Sequence, residues 1–145
     1  MKIAIKQIDK MISCVPEEVF WRSQDALWND EKYVEVSEQE YRTMMERYKK
    51  KQLDERRLSE CVELNNKGIE LEKNGEADAA IEVYEKNIKP GCWPARHSFD
   101  RLLVLYRKRK DYTNELRVCK AAIELFEGEV KYKEKMVKIN KRINK

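Results

Sequence analysis

The chain has 145 residues, about one domain's worth, of which 41% are apolar and 40% charged, with only four glycines and three prolines. Abundant Lys, Glu, Leu and Arg with so few breakers favour helices with a highly charged surface. No apolar run approaches the ~20 residues that cross a bilayer, so no membrane partner is expected. The net charge of +4 is unevenly placed: residues 1–60 hold 12 basic and 13 acidic side chains, residues 61–128 hold 12 of each, and residues 129–145 hold 7 and 2. A balanced body argues against a broad electrostatic footprint for nucleic acid and leaves the surplus in the last segment.

The opening MKIAIKQIDKMISCV alternates charged and apolar residues. It lacks the unbroken apolar stretch and small-residue cleavage site of a signal peptide, so a cytoplasmic protein is expected. KIAIKQI (2–8) reads as a strand with Ile3 and Ile5 on one face, or as a helix with Ile5, Ile8, Met11, Ile12 and Val15 on one face. Periodicity does not decide between them. VFWRSQDALW (19–28) carries Trp21 and Trp28, expected to pack this module onto the second half of the chain; left exposed, they would mark a self-association patch. KYVEVS (32–37) alternates and reads as a short strand. Ser37-x-x-Glu40 is a capping box, and Tyr41, Met44, Met45 and Tyr48 make a helical stripe behind it. No Gly or Pro interrupts residues 38–67, which predicts one long helix or a helix broken in KKKQLDERR (49–57).

Glycine and proline divide the second half. CVELNNKGIELEKNG (61–75) ends in Asn74-Gly75, a helix C-terminus signal. In 76–91, Asp78 is the expected N-cap and Pro90-Gly91 the stop. Pro94 is expected in the first turn of the next helix, 94–110, and the helix in 111–128 ends at a glycine. These predict four helices in two antiparallel pairs, followed by a fifth in 129–145 with Tyr132, Met136, Ile139 and Ile143 on one face.

Chemistry finds little purchase. The cysteines, Cys14, Cys61, Cys92 and Cys119, form no CxxC pair, and Cys61 and Cys119 fall at apolar helix positions as small hydrophobes. Cys92 and the single histidine, His97, have no second ligand pair for zinc and no third group to orient a nucleophile. There is no GxGxxG or GxxxxGK[ST]. The expectation is therefore a non-enzyme with no catalytic or metal residues and no cofactor.

Five pairs recur at a separation of 35 residues: Gly68 and Leu103, Leu71 and Tyr106, Ala77 and Tyr112, Tyr84 and Cys119, Ile88 and Ile123. A helix–turn–helix unit of this length signals a solenoid. Residues 61–95 carry Gly68, Leu71, Gly75, Ala80, Tyr84 and the run AAIEVYEKNI; residues 96–128 carry Phe99, Leu102, Tyr106, Asp111-Tyr112 and KAAIEL. On these residues the region resembles two tetratricopeptide repeats. It departs from the pattern at Lys67, Asn87, Leu103 and Glu115.

The resemblance implies a mostly α fold: an antiparallel helix-pair solenoid over residues 61–128, capped by a basic helix (129–145), and preceded by an N-terminal helical module (1–60) that includes a short β element if 32–37 is a strand. Two repeats are fewer than the three that usually sustain such a stack, so both ends need caps.

The implied function is a protein-interaction scaffold holding a peptide or helix in a groove lined by the first helix of each repeat. Carried over by register, the groove positions are Val62, Asn65, Asn66, Ile69, Glu72 and Lys73, then His97, Asp100, Arg101, Val104, Arg107 and Lys108. Of these, Asn65, Asn66, Ile69, Lys73, His97, Arg101, Val104 and Lys108 are the binding candidates. Amides and cations favour an acidic partner segment. The lysine–asparagine pair, four apart, of the chaperone-tail-binding subset is absent, since Asn65 and Ile69 stand there. The second-ranked reading is nucleic-acid binding by residues 129–145, and the third an enzyme or regulator with its site in residues 1–60.

Overall fold

A computed structural model describes all 145 residues, Met1–Lys145. Seven α-helices and a two-stranded sheet follow one another as β1 (Lys2–Ala4), α1 (Ile5–Lys10), a 3-10 turn (Ile12–Cys14), α2 (Glu17–Trp28), β2 (Tyr33–Glu35), α3 (Glu38–Lys73), α4 (Ala77–Asn87), α5 (Arg96–Lys108), α6 (Tyr112–Leu125) and α7 (Val130–Ile143). No helix is long and apolar enough to cross a membrane. The chain divides into two compact units, Met1–Glu55 and Arg56–Lys145, with the boundary inside α3.

In the first unit, the ambiguous opening is half strand and half helix. Residues 2–4 pair antiparallel with β2, Lys2 opposite Glu35, Ile3 opposite Val34 and Ala4 opposite Tyr33, and the chain turns into α1 at Ile5. A lone two-stranded ribbon is marginal in water, so it depends on an apolar face. Ile3 and Val34 supply that face and join Ile8, Met11, Val19, Val36 and Met44 in one core. Tyr41, Met45 and Tyr48 of the α3 stripe pack against it. The capping box is formed: the Glu40 backbone N–H donates to Ser37 Oγ at 3.1 Å, and the Ser37 N–H donates to Glu40 Oε1 at 2.9 Å. Arg22 of α2 clasps the Glu40 carboxylate, joining α2 to the start of α3. The expectation that Trp21 and Trp28 are packing residues is not met. They are 58% and 89% exposed. Spaced by seven residues, they share one face of α2, whereas Val19, Ser23 and Ala26 are its buried residues.

α3 is unbroken through KKKQLDERR. Straight-chain residues of good helix propensity fill that stretch, and Lys51 and Glu55 stand four apart on one face.

In the second unit, the turns end two helices in the same way. After α3, Gly75 takes a positive φ of 76°, its N–H donates to Glu72 O, and Glu76 N–H donates to Leu71 O at 2.9 Å. After α5, Lys110 takes φ 57°, its N–H donates to Arg107 O, and Asp111 N–H donates to Tyr106 O at 3.0 Å. Both are left-handed caps that satisfy orphan carbonyls, and each bond recurs 35 residues on. Two expected helix starts move. α4 begins at Ala77, so Asp78 lies in its first turn, where it pairs with Arg109 instead of capping. α5 begins at Arg96, so Pro94 precedes it. Asp111 does cap α6, accepting from the Asn114 N–H.

Helix directions follow from which ends meet. Asn87 at the end of α4 bonds Ser98 at the start of α5, while Asp78 at the start of α4 pairs with Arg109 just past the end of α5. Phe99 and Phe126 bring the start of α5 to the end of α6, and Glu115 and Arg142 bring the start of α6 to the end of α7. Consecutive helices are thus antiparallel, and α3, α5 and α7 run the same way. The core holds Ala80, Tyr84, Phe99, Leu102, Val118, Cys119, Ala122, Tyr132 and Ile139. The α7 stripe is used as expected at Tyr132 and Ile139, both buried, whereas Ile143 is 46% exposed.

Gly68 marks a close approach of α4 to α3: a Cβ there would run into the Tyr84 ring, which is fully buried. Thirty-five residues on, the large and small members are exchanged, with Leu103 on α5 and Cys119 on α6, both buried in the same core. Gly68→Ala gains helix propensity of ~1 kcal/mol but forces the ring aside, so a net loss of ~1–3 kcal/mol is expected in urea denaturation. A neutral or stabilising result would mean that the two helices are not in contact there.

Candidate functional site

The helices α3 and α5 carry the predicted groove positions, and their polar side chains divide into two groups. The first group closes the seams between helices. Asn87, 1% exposed, places its two amide hydrogens among Cys61 O at 3.1 Å, Asn65 Oδ1 at 3.0 Å and Ser98 Oγ at 3.0 Å. Ser98 Oγ in turn donates to Asn65 Oδ1 at 2.6 Å. Asn65 is therefore committed to a buried network joining α3, α4 and α5. Burial also pushes the Cys61 thiol up, against the pull of the Asn87 and Asn65 amides.

Arg101 is committed likewise. Its guanidinium grips Glu72 with two bonds, Nε to Oε2 at 3.0 Å and Nη2 to Oε1 at 2.5 Å, while the Tyr84 hydroxyl donates to Oε2 at 2.6 Å. The Arg101 hydrogen bonds hold the Glu72 carboxyl below its usual range; burial, then the bonded carboxylate, pushes the Tyr84 hydroxyl up.

The same three-part arrangement recurs twice. Tyr106 of α5 donates to Glu85 of α4 at 2.6 Å, and Arg117 of α6 pairs with that carboxylate. Tyr132 of α7 donates to Asp100 of α5 at 2.8 Å, and Lys131 pairs with Asp100 at 3.1 Å. All three tyrosines are buried, and burial followed by the carboxylate raises each hydroxyl.

The second group stands outside these seams. Val62, Asn66, Lys73, Arg107 and Lys108 are exposed, and Ile69 and Val104 are half-buried. His97 is half-buried with its ring edge on Tyr84, centroids 5.9 Å apart, and its Nε2 is closed off without a partner. Cys92 is exposed and its thiol faces Lys86 O at 3.6 Å. Of the eight binding candidates, the structure gathers Asn65 and Arg101 into internal networks and leaves Asn66, Lys73 and Lys108 open.

Register reasoning did not assemble a cavity of about 110 Å³ lined by Leu103, Val104 and Arg107 of α5, Glu115 of α6, and Lys135, Lys138 and Arg142 of α7. Two signals for it were present: Glu115, a charged residue among the apolar positions of its helix, and the basic surplus of the last helix. No known family model, curated protein or solved structure matches this chain.

Asn87→Ala would remove the amide that ties Cys61 O, Asn65 and Ser98 together, leaving only the Ser98–Asn65 bond across the buried seam. A loss of ~1–3 kcal/mol is expected in chemical denaturation. Asn66→Ala, on the exposed side, is expected to change stability by less than ~0.5 kcal/mol. Equal effects of the two would contradict the network.

Proposed function

We propose that the second unit is a non-enzymatic interaction scaffold that holds an acidic peptide or helix along α3, α5 and α7. The observation that carries this reading is that α5 is bonded to α3 through Ser98–Asn65 and Arg101–Glu72, and to α7 through Asp100–Tyr132, with the three helices running the same way. Their seams are closed by Asn87 and the tyrosine clamps, while Asn66, Lys73, Arg107 and Lys108 stay open to solvent. The 35-residue recurrence of the turn bonds supports reading α3–α6 as two tetratricopeptide-like pairs, with α7 as the cap. Amides and cations on a fixed face suit a partner's carboxylates.

Asn65 and Arg101 are poor probes of this face, because replacing either one disturbs a seam. Lys73 and Lys108 are exposed, so Lys73→Glu/Lys108→Glu should leave the fold intact. In fluorescence anisotropy with acidic, neutral and basic peptides of about 15 residues, long enough to run along three helices, the acidic peptide should bind best. The double variant should weaken it by ~10-fold. Acidic peptides bound no better than basic ones would overturn the reading. The exposed lysines of α7 favour nucleic acid as the second reading; binding of RNA or duplex DNA alone, with a steep salt dependence, would select it.

A further inference from the structure

The cavity between α5, α6 and α7 has an unusual charge arrangement. Glu115 is 4% exposed; its Oε1 accepts from Arg142 Nη1 at 3.2 Å, and its Oε2 has no partner. Facing it are Arg107 from α5 and Lys135, Lys138 and Arg142 from α7. Arg142 pairs with Glu115, while Arg107, Lys135 and Lys138 form an ion pair with no carboxylate of the chain. Four cations around one carboxylate leave a surplus of positive charge in a concave site, where it is screened less than on an open surface. That surplus excludes a cation as the occupant. About 110 Å³ gives room for a group of a few heavy atoms, given ~30 Å³ per water in the liquid.

We propose that this cavity binds an oxyanion among Arg107, Lys135, Lys138 and Arg142, with Glu115 donating a hydrogen bond to it from Oε2. The oxyanion comes from one of two sources, a free ion of the sulfate or phosphate kind or an acidic side chain on a bound segment. The orphaned Oε2 explains the role of Glu115. As a carboxylate it would repel an anion; carrying a proton it becomes a donor, and the surrounding cations then face the ligand alone. Burial pushes this carboxyl up from the usual glutamate range, against the opposing pull of Arg142, Arg107 and Lys135. Protonated Glu115 is the binding form, so affinity is highest below its raised pKa and is lost as pH rises through it. Bringing an anion into the cavity raises that pKa further and draws in the proton.

Sulfate keeps its charge across the pH range and is the probe. It is titrated by calorimetry at constant ionic strength over a pH series spanning the range in which the chain stays folded, and the two ends of the series are compared. Wild type is expected to bind at least ~10-fold more tightly at the lower pH. Glu115→Gln, an isosteric donor, should keep binding and flatten the pH profile. Lys138→Glu should weaken binding ~10-fold or more at the lower pH, whereas Lys133→Glu, the same charge change at an exposed position outside the cavity, should stay within ~2-fold. Equal losses at positions 133 and 138, a pH profile that survives Glu115→Gln, or no saturable binding would each overturn the proposal. Sulfate competition with an acidic peptide would assign the oxyanion to a bound segment. Sulfate binding unaffected by the peptide would assign it to a free ion, and the site stands whether or not the scaffold reading does.

Discussion

A buried tyrosine hydroxyl donates to a carboxylate on another helix, and a cation pairs with the same carboxylate. The second unit uses this clamp three times, at Tyr84–Glu72–Arg101, Tyr106–Glu85–Arg117 and Tyr132–Asp100–Lys131. Apolar packing alone lets helices slide and rotate past one another. A hydrogen bond to a charged group contributes ~1.5–3 kcal/mol and has one geometry, so each clamp fixes register as well as adding stability. The first two clamps each span three helices, α3–α4–α5 and α4–α5–α6, and the third ties α7 back to α5. The array is thereby chained from α3 to α7, and the faces that the clamps do not use are held at fixed spacing.

Two further polar residues join helices of this unit. Asn87 closes the α3–α4–α5 seam, and Glu115 lines the cavity against α7. Gly68 leaves room for the Tyr84 ring, and 35 residues on Leu103 and Cys119 are both buried in the same core, with the large residue on the first helix and the small one on the second.

Much of the local structure was legible. The capping box at Ser37 and Glu40, the Gly75 cap, the β2 strand and the buried members of the α7 stripe all follow from local chemistry, which the sequence displays directly. The strand-to-helix switch at Ile5 was not legible, because Ile5 fits both periods and pairing with β2 decides where the strand stops. Register placed Asn65 and Arg101 on the groove helices but could not say that both are occupied, since their partners Asn87 and Glu72 lie 22 and 29 residues away in sequence. The exposure of Trp21 and Trp28 was also hidden, because aromatic content announces burial or a surface patch equally well.

The clamps can be read directly from the three hydroxyls. In a pH titration followed by NMR of ring-labelled tyrosine, the Tyr84, Tyr106 and Tyr132 resonances should keep their protonated shifts through about pH 10, where a free tyrosine ionises. Their ionisation is expected only above that pH. Ionisation of any of the three at that ordinary pH in the folded protein would contradict the clamp, and with it the fixed helix array on which the proposed binding face depends.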